Sequence, residues 1–224
     1  MNALLEDKWA LVTGAAGAIG GMIVRGLQGL GCNVVAHARA PSSSLGHVPS
    51  VFADLSKPDE VDRMLEQAQR VSGGIDVLYA NAAIVTPRRG AADTPLEDFR
   101  ACFEVNTLAP IRATYALLPR MLQRRFGRIV HVTSGIQDQP ELAAYAVSKA
   151  ALDKFVRDMA IALRGTGVLM NLIDPGWVKT RLGGPNAPCP LESVLPGMLV
   201  PALVEGEVHG VWFRAQDYAL TTTS

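Results

Sequence analysis

The chain has 224 residues, of which 49% are hydrophobic, 19% are charged and 6% are aromatic, and its formal net charge is zero. This composition predicts a folded globular protein and excludes intrinsic disorder. A zero net charge supplies no broad basic field for nucleic acid or for an anionic membrane surface, so we expect neither partner. Charges or glycines interrupt the apolar stretches before about 20 residues, the length that crosses a membrane. We therefore expect a cytoplasmic protein without a targeting segment.

The cysteines and histidines indicate no metal site. Three cysteines lie far apart in the sequence, and the four histidines share no spacing that suits a metal ion. We expect buried free thiols and no bound metal.

Short apolar runs alternate with longer helical patterns, which is typical of a parallel sheet covered by helices on both faces. No repeat or linker divides the chain, so residues 1–224 are predicted to form a single α/β domain. Helical patterns lie at about residues 20–30, from residue 58 onward, at 95–122 and at 144–163. The predicted strands cover residues 9–13, 33–38, 51–53, 75–80, 128–133 and 168–173, with a short seventh strand at 211–213.

A glycine-rich turn joins the first predicted strand to the first predicted helix. It reads Thr13-Gly-Ala-Ala-Gly-Ala-Ile-Gly20 and contains Gly14, Gly17 and Gly20. Glycine permits unusual backbone angles and lets a phosphate approach the main chain, and the helix N-terminus favours negative charge. The turn therefore predicts a dinucleotide site, although similar turns also occur for steric reasons alone.

The ends of the second and third predicted strands bear on the choice of dinucleotide. The second strand ends in His37-Ala38-Arg39 without an acid, and Arg39 could form a forked ion pair with a 2′-phosphate. This pattern favours NADP(H) and leaves NAD(H) possible, since Arg39 could also be a solvated strand-end residue. Asp54 follows the third strand and is a candidate partner for the adenine amino group, or simply an acid that precedes a helix.

Tyr145 and Lys149 lie four residues apart on one predicted helix and therefore share a face. A phenol ionises near pH 10, and a neighbouring ammonium group would lower its pKa towards neutral pH. Ser134, at the end of the fifth predicted strand, could hydrogen-bond a substrate carbonyl beside Tyr145. An ordinary exposed helix pair is the alternative interpretation.

The chain resembles a short-chain dehydrogenase/reductase from Thr13 to about Tyr218. The resemblance implies a single-domain Rossmann fold with a doubly wound parallel sheet of about seven strands. Residues 212–218 resemble the 3-oxoacyl-acyl-carrier-protein reductase-like branch of the family. The motifs that carry the resemblance are, in chain order, Thr13–Gly20, Asp54, Asn81-Ala82-Ala83, Asn106, Ser134, Tyr145, Lys149 and Pro175-Gly176.

The resemblance also implies a catalytic tetrad of Asn106, Ser134, Tyr145 and Lys149. In the family's scheme Tyr145 is the general acid or base, Ser134 polarises the carbonyl, and Asn106 holds a water that links Lys149 to a proton relay. Lys149 also reaches the nicotinamide ribose, and hydride moves to or from C4 of the nicotinamide. The implied cofactor-binding residues are Gly14, Gly17, Ile19, Gly20, Arg39, Asp54, Leu55, Asn81, Ala82, Tyr145, Lys149, Pro175, Gly176, Val178 and Thr180.

The sequence departs from the family pattern at three places. Ala18 replaces the middle glycine of the turn, which could reshape it slightly. The usual Asn-Asn-Ala-Gly becomes Ala-Asn-Ala-Ala at residues 80–83. The segment at about 180–203, where the family places its substrate lid, is short, and Pro185, Pro188 and Pro190 disfavour a continuous helix. A small or mobile lid would leave the substrate pocket open.

The function expected from these patterns is the reduction of a ketone or other carbonyl by NADPH, with a 3-oxoacyl thioester as one possible substrate. The alternatives are an NAD-linked alcohol dehydrogenase and a dinucleotide-binding sensor or scaffold without turnover. The helices at 95–122 and 144–163 are expected to pair copies into a homodimer or homotetramer. Arginines near the end of the first of these helices could contact an acyl-carrier protein, or could simply be a solvated helix end. They are Arg120, Arg124, Arg125 and Arg128.

Overall fold

The computed structural model of the protein describes residues 3–90 and 92–219. Within these ranges seven parallel strands form one sheet in the order β3-β2-β1-β4-β5-β6-β7. The strand order reverses between β1 and β4, and in such sheets ligands bind in the crevice beyond the carboxyl ends of the strands at that point. The strands are β1 (Trp9–Val12), β2 (Asn33–Ala38), β3 (Ser50–Phe52), β4 (Val77–Ala80), β5 (Gly127–Val132), β6 (Val168–Asp174) and β7 (Trp212–Arg214).

Helices cover both faces of this sheet, which confirms the predicted single-domain Rossmann fold. On one face α2, α4 and α5 bury Met64, Leu117 and Val156 in a shared core, and on the other face α1 buries Ile23 and Leu27. Two separate apolar clusters result, one on each side of the strands. The helices are α1 (Ala18–Gly29), α2 (Pro58–Ser72), α3 (Leu96–Phe103), α4 (Ala109–Arg124), α5 (Ala143–Ala162) and α6 (Val200–Leu203).

The helix predicted at 95–122 is not continuous in the structure. A π-helical turn, Glu104–Leu108, separates α3 from α4, and the N–H of Ala109 bonds the carbonyl of Glu104 five residues earlier. Pro110 has no N–H, so the carbonyl of Asn106 lacks the donor that an α-helix would place four residues on. The extra residue in this turn makes room for the proline ring. The prediction of one regular helix was wrong at this point.

The segment at 180–203 consists of two parts with different surroundings. No α-helix forms at residues 181–190, as the prolines predicted, and the segment beyond residue 190 folds back onto the core. There the Tyr79 hydroxyl donates to the carbonyl of Met198 at 2.9 Å, and Leu199 lies so close to Gly26 that a Cβ on that glycine would approach it to 2.7 Å. The part of the segment that can border a pocket is therefore the turn that ends near residue 190.

The arginine cluster lies at the opposite edge of the sheet from the strands' carboxyl ends. Arg124 forms an ion pair with Asp76 just before β4, at 2.8 Å, and Arg128 is buried at the start of β5. Arg120 and Arg125 donate to backbone carbonyls of neighbouring loops. These contacts give the cluster a structural role at the amino ends of the strands.

The described residues contain no helix long and apolar enough to cross a membrane. In the same residues no three His, Cys, Asp or Glu side chains gather in a way that could hold a metal ion.

Candidate active site at the carboxyl edge of the sheet

The end of β5 and the first turns of α5 bring the predicted catalytic residues together. The Ser134 hydroxyl hydrogen-bonds the phenol of Tyr145. The Lys149 Nζ donates to the carbonyl of Val132 at 2.8 Å. Tyr145 and Lys149 are 8% and 3% exposed. The two side chains therefore form a buried, oriented pair on one helix face, and the exposed helix pair that was the alternative interpretation is excluded.

The ionisation of this pair differs from the expectation. Burial raises the pKa of Tyr145 above 10.0, and the hydrogen bond with Ser134 only partly opposes this effect. Burial also lowers the pKa of Lys149 from 10.5 to about 8, while Asp153 opposes that shift. The prediction that the ammonium group lowers the pKa of Tyr145 was wrong for this geometry, because Lys149 is directed to a backbone carbonyl and Tyr145 is removed from water.

Asn106 is fully buried in the π-helical turn, and neighbouring groups satisfy its side chain. Its Oδ1 accepts from the N–H of Ile84 at 2.8 Å, and its Nδ2 donates to the carbonyl of Ile84 at 2.9 Å and to the Ser148 hydroxyl at 3.0 Å. Ser148 in turn donates to the carbonyl of Tyr145 at 2.7 Å. The amide therefore ties the loop after β4 to α5, and only the backbone carbonyl of Asn106, which Pro110 deprives of an α-helical donor, suits a bound water.

The glycine turn has the backbone geometry that a dinucleotide requires. Gly14 has φ of 67°, and a Cβ there would lie 2.9 Å from the Cα of Ala82. A Cβ on Gly20 would collide with the carbonyl oxygen of Gly14. Helix α1 begins after Gly17 without a side-chain cap, so its first N–H groups suit an anionic pyrophosphate.

The replacement of the family's middle glycine leaves this turn intact. Ala18 opens α1 with an exposed side chain, and it is absent from the positive-φ residues. Gly17 before it is extended, with φ of −78°. Position 18 therefore does not demand glycine, whereas a Cβ on Gly17 would lie only 3.2 Å from the carbonyl oxygen of Gly14.

Asn81 and Ala82 connect the turn to the end of β4. The Asn81 Nδ2 donates to the carbonyl of Thr13 at 2.9 Å. The backbone N–H groups of Asn81 and Ala82 both donate to the Thr13 hydroxyl at 3.0 Å. These bonds account for the retained asparagine in the altered motif at residues 80–83, since it is the residue whose side chain reaches the turn.

A buried histidine that the sequence did not single out supports the same turn. The Gly14 N–H donates to Nδ1 of His37 at 3.3 Å, and Nε2 of His37 lies 3.1 Å from the carbonyl of Ala53. Burial lowers the pKa of His37 below 6.5. A neutral ring with a proton on Nε2 satisfies both contacts and joins the ends of β1, β2 and β3.

The residues expected near the adenosine lie beside one another at the ends of β2 and β3. Arg39 is exposed directly after β2, and Leu55 is buried. Oδ1 of Asp54 accepts from the N–H of Ser56 at 2.9 Å and from its hydroxyl at 2.7 Å, and these bonds lower the pKa of Asp54. Asp54 is thus a charged carboxylate whose second oxygen could accept from an adenine amino group.

The loop after β6 is held in place by Asp174. This carboxylate accepts from the N–H of Gly176 at 2.9 Å and from that of Gly135 at 3.1 Å. Gly176 has φ of 79°, and a Cβ there would lie 2.9 Å from Gln216, which itself donates to the carbonyl of Pro175 at 2.8 Å. The loop that is expected to face the nicotinamide is therefore fixed against both β5 and the chain after β7.

Beyond this loop the chain forms a closed turn. A bridge joins Val178 to Cys189 through the carbonyl of Trp177 and the N–H of Lys179, so the backbone groups of Val178 itself face away from it. The Thr180 hydroxyl accepts from the N–H of Gly183 at 3.0 Å, and the Trp177 ring donates to the carbonyl of Gly183 at 2.7 Å. These bonds make the turn compact and hold Val178 and Thr180 in fixed positions within it.

Apolar side chains line the other side of Tyr145. Cys102 and Ala144 are buried against it, and Ile84, Phe99 and Ile136 pack at the margin of this cluster. One wall of the candidate substrate pocket is therefore apolar.

Two loops beside the pocket are joined to each other. The Arg88 side chain bonds the Glu141 carboxylate, and the N–H of Arg89 donates to the carbonyl of Glu141 at 3.1 Å. The carboxylate of Asp98 also holds Arg89. The loops after β4 and β5 are therefore tied to each other.

This geometry is that of a nicotinamide-dependent oxidoreductase: a dinucleotide turn, a buried Tyr–Lys pair and a hydroxyl aimed at the phenol meet at one sheet edge. A family model described as short chain dehydrogenase matches residues 8–188. The chain belongs to this family, and with it to the NAD(P)-dependent enzymes that act on CH–OH or C=O groups.

Individual relatives agree with this assignment. A short chain dehydrogenase of Pseudocercospora fijiensis is 32% identical over 196 residues, which are 81% of this chain and 63% of that protein. The chain thus spans less than two thirds of this relative's length. The 3-oxoacyl-[acyl-carrier-protein] reductase of Rickettsia conorii is 28% identical over 96% of this chain and 92% of its own. The NADPH-bound carbonyl reductase from chicken fatty liver has 25% identity and a TM-score of 0.83, covering 95% of this chain and 98% of its own.

Proposed function

We propose that this protein reduces a ketone or other carbonyl with NADPH, and that Tyr145 donates the proton. The observation that carries the proposal is the burial of Tyr145 and Lys149 together on one face of α5, with the Ser134 side chain acting on the phenol. A phenol whose pKa is above 10.0 carries its proton at neutral pH, as the donor in a carbonyl reduction must.

Each residue of the site has a part in this reaction. NADPH, held by the glycine turn and Arg39, would supply a hydride for the carbonyl carbon. Ser134 donates a hydrogen bond to the carbonyl oxygen and fixes it next to the Tyr145 phenol, which protonates that oxygen as charge develops. Lys149, held at the carbonyl of Val132, keeps a positive charge on the same helix face as Tyr145, and the carbonyl of Asn106 holds the water through which the proton is replaced.

The preference for NADPH rests on Arg39. It is exposed at the end of β2, where a 2′-phosphate would lie, and no acid stands at that strand end to bind ribose hydroxyls or to repel the phosphate. An NADPH-bound carbonyl reductase is also among the similar structures. NADH is the competing cofactor.

The substrate that we propose to test first is a 3-oxoacyl thioester. The apolar wall around Tyr145 suits an acyl chain, and the reductase of Rickettsia conorii is similar over nearly the whole chain. The arginine cluster does not support docking of an acyl-carrier protein, since it lies at the opposite edge of the sheet and its members bond neighbouring groups. A carrier would have to approach the face that bears the turn at 177–189.

We further propose a homodimer or homotetramer in the cytoplasm. Three apolar side chains are exposed at intervals of seven residues, namely Leu108 at the end of the π-helical turn and Tyr115 and Leu122 on α4, and Val147 and Ile161 are exposed on α5. Such a stripe suits symmetric pairing of two copies. Three free cysteines agree with a reducing compartment.

A panel of ketones and 3-oxoacyl thioesters, with the loss of NADPH absorbance as readout, tests the function. Activity is expected with at least one of them, and Tyr145→Phe should abolish it while NADPH still binds. Tyr115→Phe, on an exposed face of α4, serves as the matched control and should keep full activity. Activity with alcohols and NAD alone would favour the dehydrogenase, and NADPH binding without any turnover would favour the sensor or scaffold.

A further inference from the structure

The last residues of β5 and the residue that follows contact one face of α5 in three places. The carbonyl of Val132 binds Lys149, and Ser134 binds Tyr145. Between them the Thr133 hydroxyl donates to Oδ1 of Asp153. Neither the tetrad nor the cofactor-binding set includes this third contact.

We propose that Asp153 is a positioning residue of the active site, which holds α5 against the strand end through Thr133 and supplies the negative charge that balances Lys149. It follows Lys149 by four residues and Tyr145 by eight, so the three side chains lie on one helix face. The inference rests on the proposed function for its effect on catalysis, and on the geometry alone for its effect on Lys149.

The contact with Thr133 fixes the carboxylate in a defined place. Thr133 is 2% exposed, and its N–H donates to the carbonyl of Ile173 in β6 at 2.9 Å, so it belongs to the rigid sheet. Asp153 is half-buried on the inner side of α5. Its carboxylate therefore lies on the helix face of the pair, where burial raises its pKa while the hydrogen bond from Thr133 and the charge of Lys149 oppose that rise.

Lys149 needs such a charge because its hydrogen-bond partner is a neutral carbonyl. A buried ammonium without a nearby anion is strongly disfavoured. Burial lowers the pKa of Lys149 to about 8, and Asp153 is the largest influence that opposes this effect, ahead of Cys102. The carboxylate thus keeps a useful fraction of Lys149 protonated near neutral pH.

The other ionisable groups around the pair do not replace Asp153. From β5, His131 is neutral because burial lowers its pKa to about 3, and from α3 burial raises the pKa of the Cys102 thiol. From β6, Asp174 is committed to the N–H groups of Gly135 and Gly176.

On α5 itself, Tyr145 is protonated, and Arg157 is a cation that acts on Asp153. Asp153 is therefore the carboxylate of α5 that stabilises the charged form of Lys149.

Asp153→Asn tests the charge, because the amide oxygen can still accept from Thr133. The pH profile of kcat/KM should fall on its alkaline side as Lys149 deprotonates. In Asp153→Asn the midpoint of this fall is expected about one pH unit lower than in the parent protein. Activity should then match the parent protein within about twofold at pH 6 and be about fivefold lower than the parent at pH 8, since about one tenth rather than one half of Lys149 would then be protonated. Asp158→Asn, an exposed acid further along the same helix, is the matched control and should leave the profile unchanged.

Thr133→Val separates the hydrogen bond from the charge. Thr133→Val should lower kcat by a similar factor at every pH and should leave the midpoint of the alkaline fall in kcat/KM unchanged. If Asp153→Asn does the same, Asp153 has a purely structural role and the proposed balance of charge is wrong. A profile of Asp153→Asn that coincides with that of Asp158→Asn would also overturn the proposal.

A second measurement is independent of catalysis. In protein labelled with 13Cε-lysine, the resonance of Lys149 is assigned as the one that Lys149→Met removes. Its titration midpoint is expected near pH 8 and about one unit lower in Asp153→Asn. A shifted midpoint in a protein without reductase activity would reject the proposed function and keep this inference, whereas an unshifted midpoint rejects the inference itself.

Discussion

The side-chain amide of Asn106 pairs with both backbone polar groups of Ile84, accepting from its N–H at 2.8 Å and donating to its carbonyl at 2.9 Å. These two bonds match the pair of backbone hydrogen bonds that a neighbouring strand would make to Ile84, but here a side chain makes them. It connects the π-helical turn to the loop that follows β4. Because the amide is fully buried, both bonds form away from competing water.

Asn106→Asp is expected to destabilise the fold by about 2 to 4 kcal/mol at neutral pH. The second carboxylate oxygen would face the carbonyl of Ile84, where the amide donated, and a buried charge would lack a partner. Urea unfolding measures the change. Glu97→Gln, on the exposed side of α3, is the control and should stay within about 0.5 kcal/mol. A loss in Asn106→Asp no larger than this would show that the pairing with Ile84 contributes little.

Lys149 is expected to make stability depend on pH in the alkaline range. Its pKa is lowered from 10.5 to about 8 in the folded protein, so between these values the unfolded chain binds the extra proton. Stability must then rise with pH over this window, by about 3 kcal/mol for this group. Below about pH 8 the full cost of burying the charge is present.

Lys149→Met removes this dependence. The free energy of unfolding of the parent protein, compared with that of the variant, should increase between about pH 8 and pH 10.5. Urea titrations at three pH values measure it, and the remaining lysines cancel in the comparison. If the free energies of unfolding of the two proteins differ by the same amount at every pH, the lowered pKa of Lys149 is contradicted.

Arg39→Asp is expected to reverse the cofactor preference. Loss of a charge-assisted hydrogen bond to the 2′-phosphate removes about 1.5 to 3 kcal/mol, and a carboxylate at this place repels the phosphate and accepts from ribose hydroxyls. The Kd of NADPH should rise at least tenfold while that of NADH falls. Fluorescence titration of both cofactors measures this, with Arg70→Asp on the exposed face of α2 as the control. Equal changes in the affinities for NADPH and NADH would show that Arg39 does not contact the 2′-phosphate.

Tyr115→Asp is expected to dissociate the proposed oligomer. Tyr115 is 54% exposed at the middle of the apolar stripe on α4, and a charge there would have to be desolvated on pairing. Light scattering should show a lower mass for the variant at the same concentration. Asp62→Asn, on the exposed side of α2, should keep the mass of the parent protein. A parent protein that is itself monomeric would reject the pairing.

The strands were predictable because a sheet covered on both faces buries nearly every side chain of its central strands. Uninterrupted apolar runs mark such strands in the sequence, as at Val34–Val35 and Leu169–Met170. The glycine turn and the Tyr145/Lys149 spacing were equally visible, because local geometry alone places these residues on a tight turn and on one helix face.

Features that depend on contacts between distant segments were not predictable in this way. His37 meets Gly14 and Ala53 only once three strands lie side by side, and its sequence spacing suggests no role. The raised pKa of Tyr145 follows from the burial of its side chain, which the helical sequence pattern does not reveal. The π-helical turn at Asn106 results from the absent N–H of Pro110 together with the packing of α3 against α5.

The closed turn between Trp177 and Cys189 has a consequence for engineering. Its base is fixed by the bridge at Val178 and by the Trp177 ring, whereas Gly184 at its tip has open space around it and Pro185 is exposed. The downstream chain is anchored separately, through Met198 to the core. The tip is thus an insertion point where the longer lid of a relative could be grafted. Such a graft would change the substrate specificity while the catalytic residues and the cofactor turn keep their places.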